Sequence, residues 1–320
     1  MSDDIQGPNS PYSNPFAVLI AGGVGGARAA RALSTIFSGD RLSVIGNVGD
    51  DERLYGSHIS PDLDTVVYTL AGIEGPHGWG ISGDTFTVMD RLADLGIDTT
   101  FRLGDRDLAT CLLRSEMIAA GSGLSDATAA IRTGLGVETT VLPVTNDAVR
   151  TKVRIDDGSW LDFQDYFVLR GHRDRVTDVA YTGAESAAPA PGVIEAISEA
   201  GVVVIAPSNP HLSVYPILAV PGIREAIERK SRVIAISPLF GGRALKGPAD
   251  QIMGSLGLPP GTEGVLAAYE GLITDLVVDS ADADDIADLS GSVTGRATDT
   301  RMRTTEEGSR FATWFEETFA

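Results

Sequence analysis

Phe16-Ala17-Val18-Leu19-Ile20-Ala21-Gly22-Gly23-Val24-Gly25-Gly26-Ala27-Arg28 is the stretch that decides the fold. Its six consecutive apolar residues, without polar alternation, predict a strand buried on both faces of a sheet. The glycines that follow predict a sharp turn into a helix beginning near Ala27. Free N–H groups at the start of a helix bind anions, so this turn is a candidate phosphate site to which the charges of Arg28 and Arg31 would add. The simpler alternative is a tight turn without a ligand. The candidate binding residues here are Gly22, Gly23, Gly25, Gly26 and Arg28.

The glycine spacing differs from that of the standard dinucleotide motif. When G-x-G-x-x-G is read from Gly23, Arg28 stands where the third glycine should be. The sequence also lacks the phosphate-binding pattern G-x-x-x-x-G-K-[ST]. We therefore expect a nucleotide held in a related α/β crevice rather than NAD in a standard Rossmann site. An NAD-dependent oxidoreductase remains the alternative, because the acids at 50–52 could bind a ribose.

Length and composition predict one large α/β domain, since 320 residues with 43% hydrophobic content can bury a sizeable core. Residues 1–15 are polar and rich in Pro, Ser and Asn, which predicts a disordered leader and not a signal peptide. The single cysteine, Cys111, suits a reducing compartment, and no apolar stretch is long enough to span a membrane. We expect a cytoplasmic protein without membrane partners.

The net charge of −19 argues against nucleic acid as a partner, because nucleic-acid binding depends on Lys and Arg that neutralise phosphates. An anionic substrate would therefore have to be attracted by local features. Helix N-termini, arginines and a metal ion are the features available.

Two acidic segments follow the second predicted strand, Leu42–Ile45. The first contains Asp50 and Asp51 in a loop that should face the same crevice as the glycine turn, because ligands of open α/β sheets bind beyond the carboxyl ends of the strands. The second is Ser60-Pro61-Asp62-Leu63-Asp64-Thr65, which predicts a helix with Ser60 as its N-cap. Carboxylates of both segments, Asp50 or Asp51 together with Asp64, could bind Mg²⁺. The alternative for the first segment is a solvated turn.

Further candidates lie in loops after later strands and helices. Trp79 is flanked by glycines and could stack on a planar ligand, while Arg102 and Arg106 could pair with phosphate. Two loops, 207–213 and 237–248, follow predicted buried strands. In them a base or ribose could bind Ser208, Asn209 and Ser213 beside Pro210, and a diphosphate could bind Gly241, Gly242 and Lys246.

The predicted fold is a three-layer α/β/α Rossmann-like parallel sheet with a small inserted antiparallel β patch. We place a single domain at 16–320 and the insertion at about 148–185, where the turn Asp156-Asp157-Gly158-Ser159 joins two alternating segments. Smaller elements are also predicted: a strand beginning at Phe101, a helix over Ser125–Leu135 capped by Ser125, and a last helix over Glu306–Phe319 after an acidic segment that begins near Thr274.

These motifs resemble the CofD family of 2-phospho-L-lactate transferases, in particular its actinobacterial FbiA-like form. The likeness runs in order across most of the chain, and its S-P-D-L-D-T and L-G-D-R-D stretches are more specific than the glycine turn. The matching stretches are Gly22–Arg28, Ile59–Val66, Trp79-Gly80, Asp84–Phe86, Leu103–Asp107 and Ala206–Pro210.

The resemblance implies a Mg²⁺-dependent transfer to the deazaflavin Fo. The donor would be lactyl- or enolpyruvyl-diphospho-5'-guanosine, GMP would leave, and the enolpyruvyl form, which the actinobacterial likeness favours, would give dehydro-F420-0. Asp50 and Asp64 would be the catalytic and metal-binding residues, and the 62–65 segment, with Asp62 and Thr65, would contact Fo together with Arg102. The family also implies a homodimer. A non-catalytic nucleotide-binding regulator related to CofD is a third alternative.

Overall fold

The structure is a computed structural model that describes residues 17–245, 247–287, 289 and 292–319. The expected leader at 1–15 and Lys246 lie outside the described residues. The strands are β1 (Ala17–Ala21), β2 (Leu42–Gly46), β3 (Glu52–Leu54), β4 (Ser57–Ile59), β5 (Thr140–Pro143), β6 (Arg150–Ile155), β7 (Trp160–Asp162), β8 (Val176–Thr182), β9 (Val202–Ile205), β10 (Val233–Ile236), β11 (Leu239–Phe240), β12 (Arg243–Ala244), β13 (Asp275–Asp279) and β14 (Thr294–Thr298). The α-helices are α1 (Gly23–Leu33), α2 (Pro61–Leu70), α3 (Thr87–Asp94), α4 (Asp105–Ala119), α5 (Leu124–Gly134), α6 (Val193–Glu199), α7 (Tyr215–Leu218), α8 (Ile223–Glu228), α9 (Ala249–Ser255), α10 (Gly261–Ala268) and α11 (Thr305–Phe319).

The central sheet has seven parallel strands in the spatial order β5-β2-β1-β9-β10-β13-β14. Numbered by their succession along the chain, these strands run 3-2-1-4-5-6-7, which is the order of doubly wound dinucleotide folds extended by one strand. The winding reverses between β1 and β9, so the crevice of the fold lies at the carboxyl ends of these two strands. The predicted Rossmann-like fold is confirmed.

Burial explains why the apolar runs form the centre of the sheet. Every residue of β1, β2, β9 and β10 is buried, as expected for parallel strands covered by helices on both faces. Among the described residues, no helix is both long enough and apolar enough to cross a membrane.

The inserted antiparallel patch is confirmed and has one strand more than expected. Its order is β7-β6-β8, and the third strand, β8, was not predicted. The patch has its own small core, in which Val153, Tyr166 and Val176 pack with Leu212 and Ile252 of the main domain. A five-residue π-helix, Asp165–Leu169, follows β7. This packing fixes the insertion beside the loop after β9.

Four local predictions were wrong. Helix α1 begins at Gly23 and not at Ala27, because Gly23, with φ of 64°, makes the turn by itself. Helix α5 begins at Leu124, and Gly123 occupies the N-cap position expected for Ser125. No strand begins at Phe101. Two sheet strands, β13 and β14, lie in the acidic segment where none was expected.

The close packing of α1 on the loop after β9 indicates that a larger residue at Gly25 would destabilise the protein. A methyl group on Gly25 would lie 2.2 Å from the carbonyl oxygen of Pro207, a backbone atom that cannot move aside alone. We expect Gly25→Ala to lower the free energy of unfolding by about 1–3 kcal/mol, as overpacking does. Urea denaturation measures this.

Gly134 is the matched control, because it lies in α5 and a methyl group there would meet no atom within 4 Å. Gly134→Ala should leave stability unchanged or raise it by up to about 1 kcal/mol. Equal stability of the two variants would contradict the tight contact.

Candidate functional site

A cleft of about 960 Å³ opens at the carboxyl ends of β1 and β9. The turn after β1, the start of α2, the loops after β2 and β9, and the segment after β14 all contribute to its walls. The structure brings most of the predicted site residues together here. Those that line the cleft are Gly22, Gly23, Gly25, Arg28, Asp50, Asp62, Asp64, Thr65, Trp79, Arg102, Ser208, Asn209 and Ser213.

Four predicted site residues do not line the cleft. Gly26 packs its backbone against Ala21 of β1, and Pro210 is buried at the start of a short π-helix. The N–H groups of Gly241 and Gly242, expected to hold a diphosphate, instead donate to the Asp282 carboxylate at 3.0 and 2.7 Å. These two donors are already used, which removes the reason for placing a phosphate there.

Ser208 joins the two strands that form the switch point. Its hydroxyl donates to the Gly22 carbonyl at 2.7 Å, and its oxygen lies 3.4 Å from the Gly22 nitrogen. The neighbouring Asn209 uses its side-chain oxygen to accept from the N–H groups of His211 and Leu212. The Nδ2 of Asn209 is buried without a partner among the described residues, and Asn209 lines the cleft. A buried unpaired donor is costly, so this amide is suited to a ligand oxygen.

Four buried carboxylates, Asp50, Asp51, Asp62 and Asp64, form the acidic part of the site. The Asn47 amide donates to Asp50 Oδ1 at 3.1 Å and to Asp62 Oδ2 at 2.9 Å. Asn47 therefore links Asp50 to Asp62. The sequence had instead predicted that Asp50 and Asp64 act as a pair. Asp62 also contacts the glycine turn, since a methyl group on Gly22 would lie 2.6 Å from Asp62 Oδ2.

Asp51 has one satisfied and one unsatisfied oxygen. Its Oδ2 accepts from the Ser60 hydroxyl at 2.8 Å and lies 2.7 Å from His58 Nε2. Ser60 thus binds Asp51 and, contrary to expectation, makes no side-chain cap on α2. Asp51 Oδ1 is buried and has no hydrogen-bond partner among the described residues.

Asp64 is paired differently, with the buried guanidinium of Arg114 on α4. Burial raises the pKa of the Asp64 carboxyl, and Arg114 opposes that rise. Burial, with the charge of Asp51 as a smaller cause, also raises the pKa of Asp62 to about 6, although the Asn47 hydrogen bond lowers it. The pKa of Asp50 is raised well above its usual value by burial and then by the charge of Asp62.

These groups fit a hard divalent cation. Four carboxylates close together in a buried place repel one another, and Arg114 neutralises one of them. The unpartnered Oδ1 of Asp51 and the raised pKa values of Asp50 and Asp62 mark missing positive charge. Oxygen ligands of this kind suit Mg²⁺.

Asp105, the first acidic residue of the L-G-D-R-D stretch, has a structural role. Asp105 accepts from the N–H groups of Thr87 and Val88 at 3.0 Å and so caps α3. Asp84 in turn accepts from the N–H groups of Arg106 and Asp107 at the start of α4. Arg102 lies 2.6 Å from Asp90 and over the Phe86 ring, with its guanidinium carbon 4.9 Å from the ring centre. Arg106 does not line the cleft.

Several residues that line the cleft were not predicted from the sequence. Arg301 and Arg303 follow β14, and recognising that strand would have placed them at the same edge as the glycine turn. Phe163 and Phe167 of the insertion stack with ring centres 5.3 Å apart and form an apolar wall. Phe163 belongs to a segment whose alternation with polar residues predicted a strand, and Phe167 was not singled out, so neither pointed to the cleft.

The fold and site define a doubly wound α/β protein with an acid-lined cleft at its switch point. The chain belongs to the CofD family, because the family model described as 2-phospho-L-lactate transferase CofD matches residues 17–298. Membership of this family makes it a transferase, as the resemblance implied.

Curated relatives cover most of the chain. A phosphoenolpyruvate transferase of Kitasatospora aureofaciens is 42% identical over 278 residues, 84% of this chain and 87% of that protein. A 2-phospho-L-lactate transferase of Methanosarcina acetivorans is 37% identical over 298 residues, covering 92% and 96% respectively. A crystal structure of a UPF0052 family member from Bacillus halodurans has a TM-score of 0.62 at 18% identity, covering 94% of this chain and 98% of that one, and so shares the fold.

The raised pKa of Asp62 predicts how stability depends on pH. Between about pH 4 and 6 the folded protein keeps a proton on Asp62 that the unfolded chain has released, so the free energy of unfolding falls as pH rises through this window. Removing the titratable group by Asp62→Asn should reduce this fall by about 2–3 kcal/mol in the presence of EDTA.

Denaturant unfolding from pH 4 to 7 measures the effect. Asp40 is exposed and lies outside the cleft, so Asp40→Asn serves as the control and should follow the wild-type curve. An Asp62→Asn curve that coincides with that of the wild type would contradict the burial of an ionisable carboxyl at this position.

Proposed function

We propose that the protein transfers a phosphoenolpyruvyl or 2-phospholactyl group from a guanosine diphosphate-linked donor to the deazaflavin Fo. GMP is released, and the product is dehydro-F420-0 or F420-0. The observation that carries this proposal is the set of four buried carboxylates beside the glycine turn, with Asp51 Oδ1 unpartnered, in a chain of the CofD family.

The reaction requires charge neutralisation and positioning more than covalent chemistry. A hydroxyl of Fo attacks a phosphorus that bears several negative oxygens, so donors and cations must surround it. Asp50, Asp62 and Asp64, with Asp51 beside them, would hold Mg²⁺, which supplies positive charge to the phosphates. The first N–H groups of α1 would bind a phosphate oxygen, since they lie at the positive end of the helix.

The volume and the lining of the cleft support the proposal that two substrates bind in it. Its volume lies near the upper end for small-molecule sites, and it has aromatic walls in two places. Phe86 lies under the guanidinium of Arg102, and we place the ring system of Fo against Phe86 and against Trp79, which also lines the cleft. Phe163 and Phe167 lie with the loop after β9, where Asn209 Nδ2, Ser208 and Ser213 would bind the guanosine.

We favour the enolpyruvyl donor. Two relatives named phosphoenolpyruvate transferase are 42% and 40% identical to this chain, and two named 2-phospho-L-lactate transferase are 37% and 35% identical. The two donors differ in one carbon–carbon double bond next to the carboxylate, and the higher identity supports the unsaturated one. Localisation in the cytoplasm and a homodimer complete the proposal, and light scattering tests the latter.

The deciding experiment incubates purified protein with Fo, Mg²⁺ and each guanylylated donor in separate reactions. Mass spectrometry identifies the deazaflavin product, and chromatography measures GMP. A phosphoenolpyruvyl adduct with an equal amount of GMP supports the activity and its donor together. No adduct with either donor, combined with tight binding of guanine nucleotides, would favour a nucleotide-binding regulator instead.

Asp64 provides the test of the acidic cluster. Asp64→Asn keeps the size of the side chain but removes its charge, so the rate of transfer should fall at least about 100-fold through loss of electrostatic stabilisation. The exposed Asp94 of α3, with 69% of its side chain accessible, is the matched control, and Asp94→Asn should keep full activity. Near-normal turnover of a folded Asp64→Asn variant would remove Asp64 from the mechanism.

Trp79 provides the test of the aromatic wall. It is 55% exposed and lines the cleft, so Trp79→Ala should raise the KM for Fo about 5- to 10-fold, while kcat changes less than 3-fold. Trp160 on β7 is similarly exposed, at 44%, but does not line the cleft. Trp160→Ala should leave both constants unchanged. If the two variants have the same KM for Fo, the ring system of Fo does not bind against Trp79.

A further inference from the structure

Arg114 is a buried charge that the sequence motifs did not single out. Its side chain is 1% exposed, and it lies on α4 behind the wall of the cleft. One terminal nitrogen pairs with Asp64 Oδ1. The other donates to the His58 carbonyl at 3.2 Å and lies 3.9 Å from Cys111 Sγ. The guanidinium therefore joins α4 to the start of α2 and to β4.

Stability alone does not account for this arrangement. A buried ion pair is often no more stabilising than two apolar side chains of the same volume, because both charges must leave water. The surroundings are already suited to apolar packing, since Cys111, Leu108 and Ile59 form a local core beside the pair. The guanidinium contacts Asp64 and the His58 carbonyl, and of these two residues Asp64 is the one that lines the cleft.

The contacts of Asp64 show which of its two carboxylate oxygens Arg114 holds. Arg114 binds Oδ1, while no hydrogen bond reaches Oδ2 from the described residues, and Asp64 lines the cleft. Asp51 is anchored in a comparable way, with Oδ2 bound to Ser60 and His58 and Oδ1 unpartnered. Each carboxylate thus has one oxygen held by neighbouring side chains and one without a partner among the described residues.

We propose that Arg114 is a positioning residue, which fixes Asp64 in one orientation so that Oδ2 can bind the divalent cation of the transfer site. This inference rests on the proposed function only in assigning the cation to that site. Groups behind a metal ligand commonly change metal affinity 10- to 100-fold when removed, because they orient the ligand.

Arg114→Lys and Arg114→Met test the role through metal binding. Electron paramagnetic resonance of added Mn²⁺ gives the dissociation constant without turnover. We expect Arg114→Met to weaken Mn²⁺ binding at least about 10-fold, and Arg114→Lys, which keeps a charge, to recover part of that loss. In steady state, kcat and the Mg²⁺ requirement should change, while the KM for Fo stays within about 3-fold of the wild-type value.

Arg132 of α5 is the matched control, since its guanidinium donates to two backbone carbonyls and does not line the cleft. Arg132→Met should bind Mn²⁺ as the wild type does, whatever its effect on melting temperature. If Arg114→Met does not fold, Arg114→Lys in an Asp64→Asn background completes the test. There the lysine substitution should cause no additional loss of Mn²⁺ affinity, because the carboxylate that it positions is gone.

The outcomes separate this inference from the proposed function. Unchanged Mn²⁺ affinity in a folded Arg114 variant overturns the positioning role, even if the wild type transfers a group to Fo. Weakened Mn²⁺ binding with no transfer by the wild type supports the positioning role and overturns the proposed reaction. Absence of Mn²⁺ binding by the wild type overturns the inference.

Discussion

The contact between the turn after β1 and the loop after β9 is the constraint on which the cleft depends. Gly25 lies against the Pro207 carbonyl, and the Ser208 hydroxyl bonds to the Gly22 carbonyl, so the two strand ends at the switch point are held together. Side chains on the turn would separate them. The missing side chain of Gly22 also leaves room for Asp62, which brings the acids of α2 next to the first N–H groups of α1.

The charges around the cleft then determine which ligands it can bind. The chain carries a net charge of −19, and three buried carboxylates, Asp50, Asp62 and Asp64, line the cleft, with the buried Asp51 beside them. Arg114 balances one of them, and the shared Asn47 amide is neutral. A cation complements this cluster, and anionic phosphates can approach it with that cation, with the arginines that line the cleft and with the first N–H groups of α1. Charge therefore links the fold to a transferase site.

Apolar strands could be predicted from the sequence, and strands in the acidic segment could not. β1, β9 and β10 were predicted because continuous apolar runs are typical of parallel strands covered on both faces, and β2 shows the same pattern apart from Ser43. β13 and β14 were missed, since Asp275 and Asp279 made their segment look solvated. Both carboxylates are buried and paired, Asp275 with Thr274 and Arg296 and Asp279 with Ala281 and Thr300. The pairings with Arg296 and Thr300 come from a segment 21 residues away and leave no local pattern.

The sequence by itself determined the Rossmann-like class and the family. It also determined that the glycine turn and both acidic segments lie at one edge of the sheet. Each of these follows from local rules: apolar runs, helix starts and glycine turns. Only the tertiary structure decided which acids share a partner. Asn47 joins Asp50 to Asp62, and Asp64 pairs with Arg114, 50 residues further along the chain. The physical reason is that the first arrangement depends on how the start of α2 lies beside the loop after β2, and the second depends on how α4 packs against β4 and α2. Contacts between such separate segments are not encoded in the spacing of a motif.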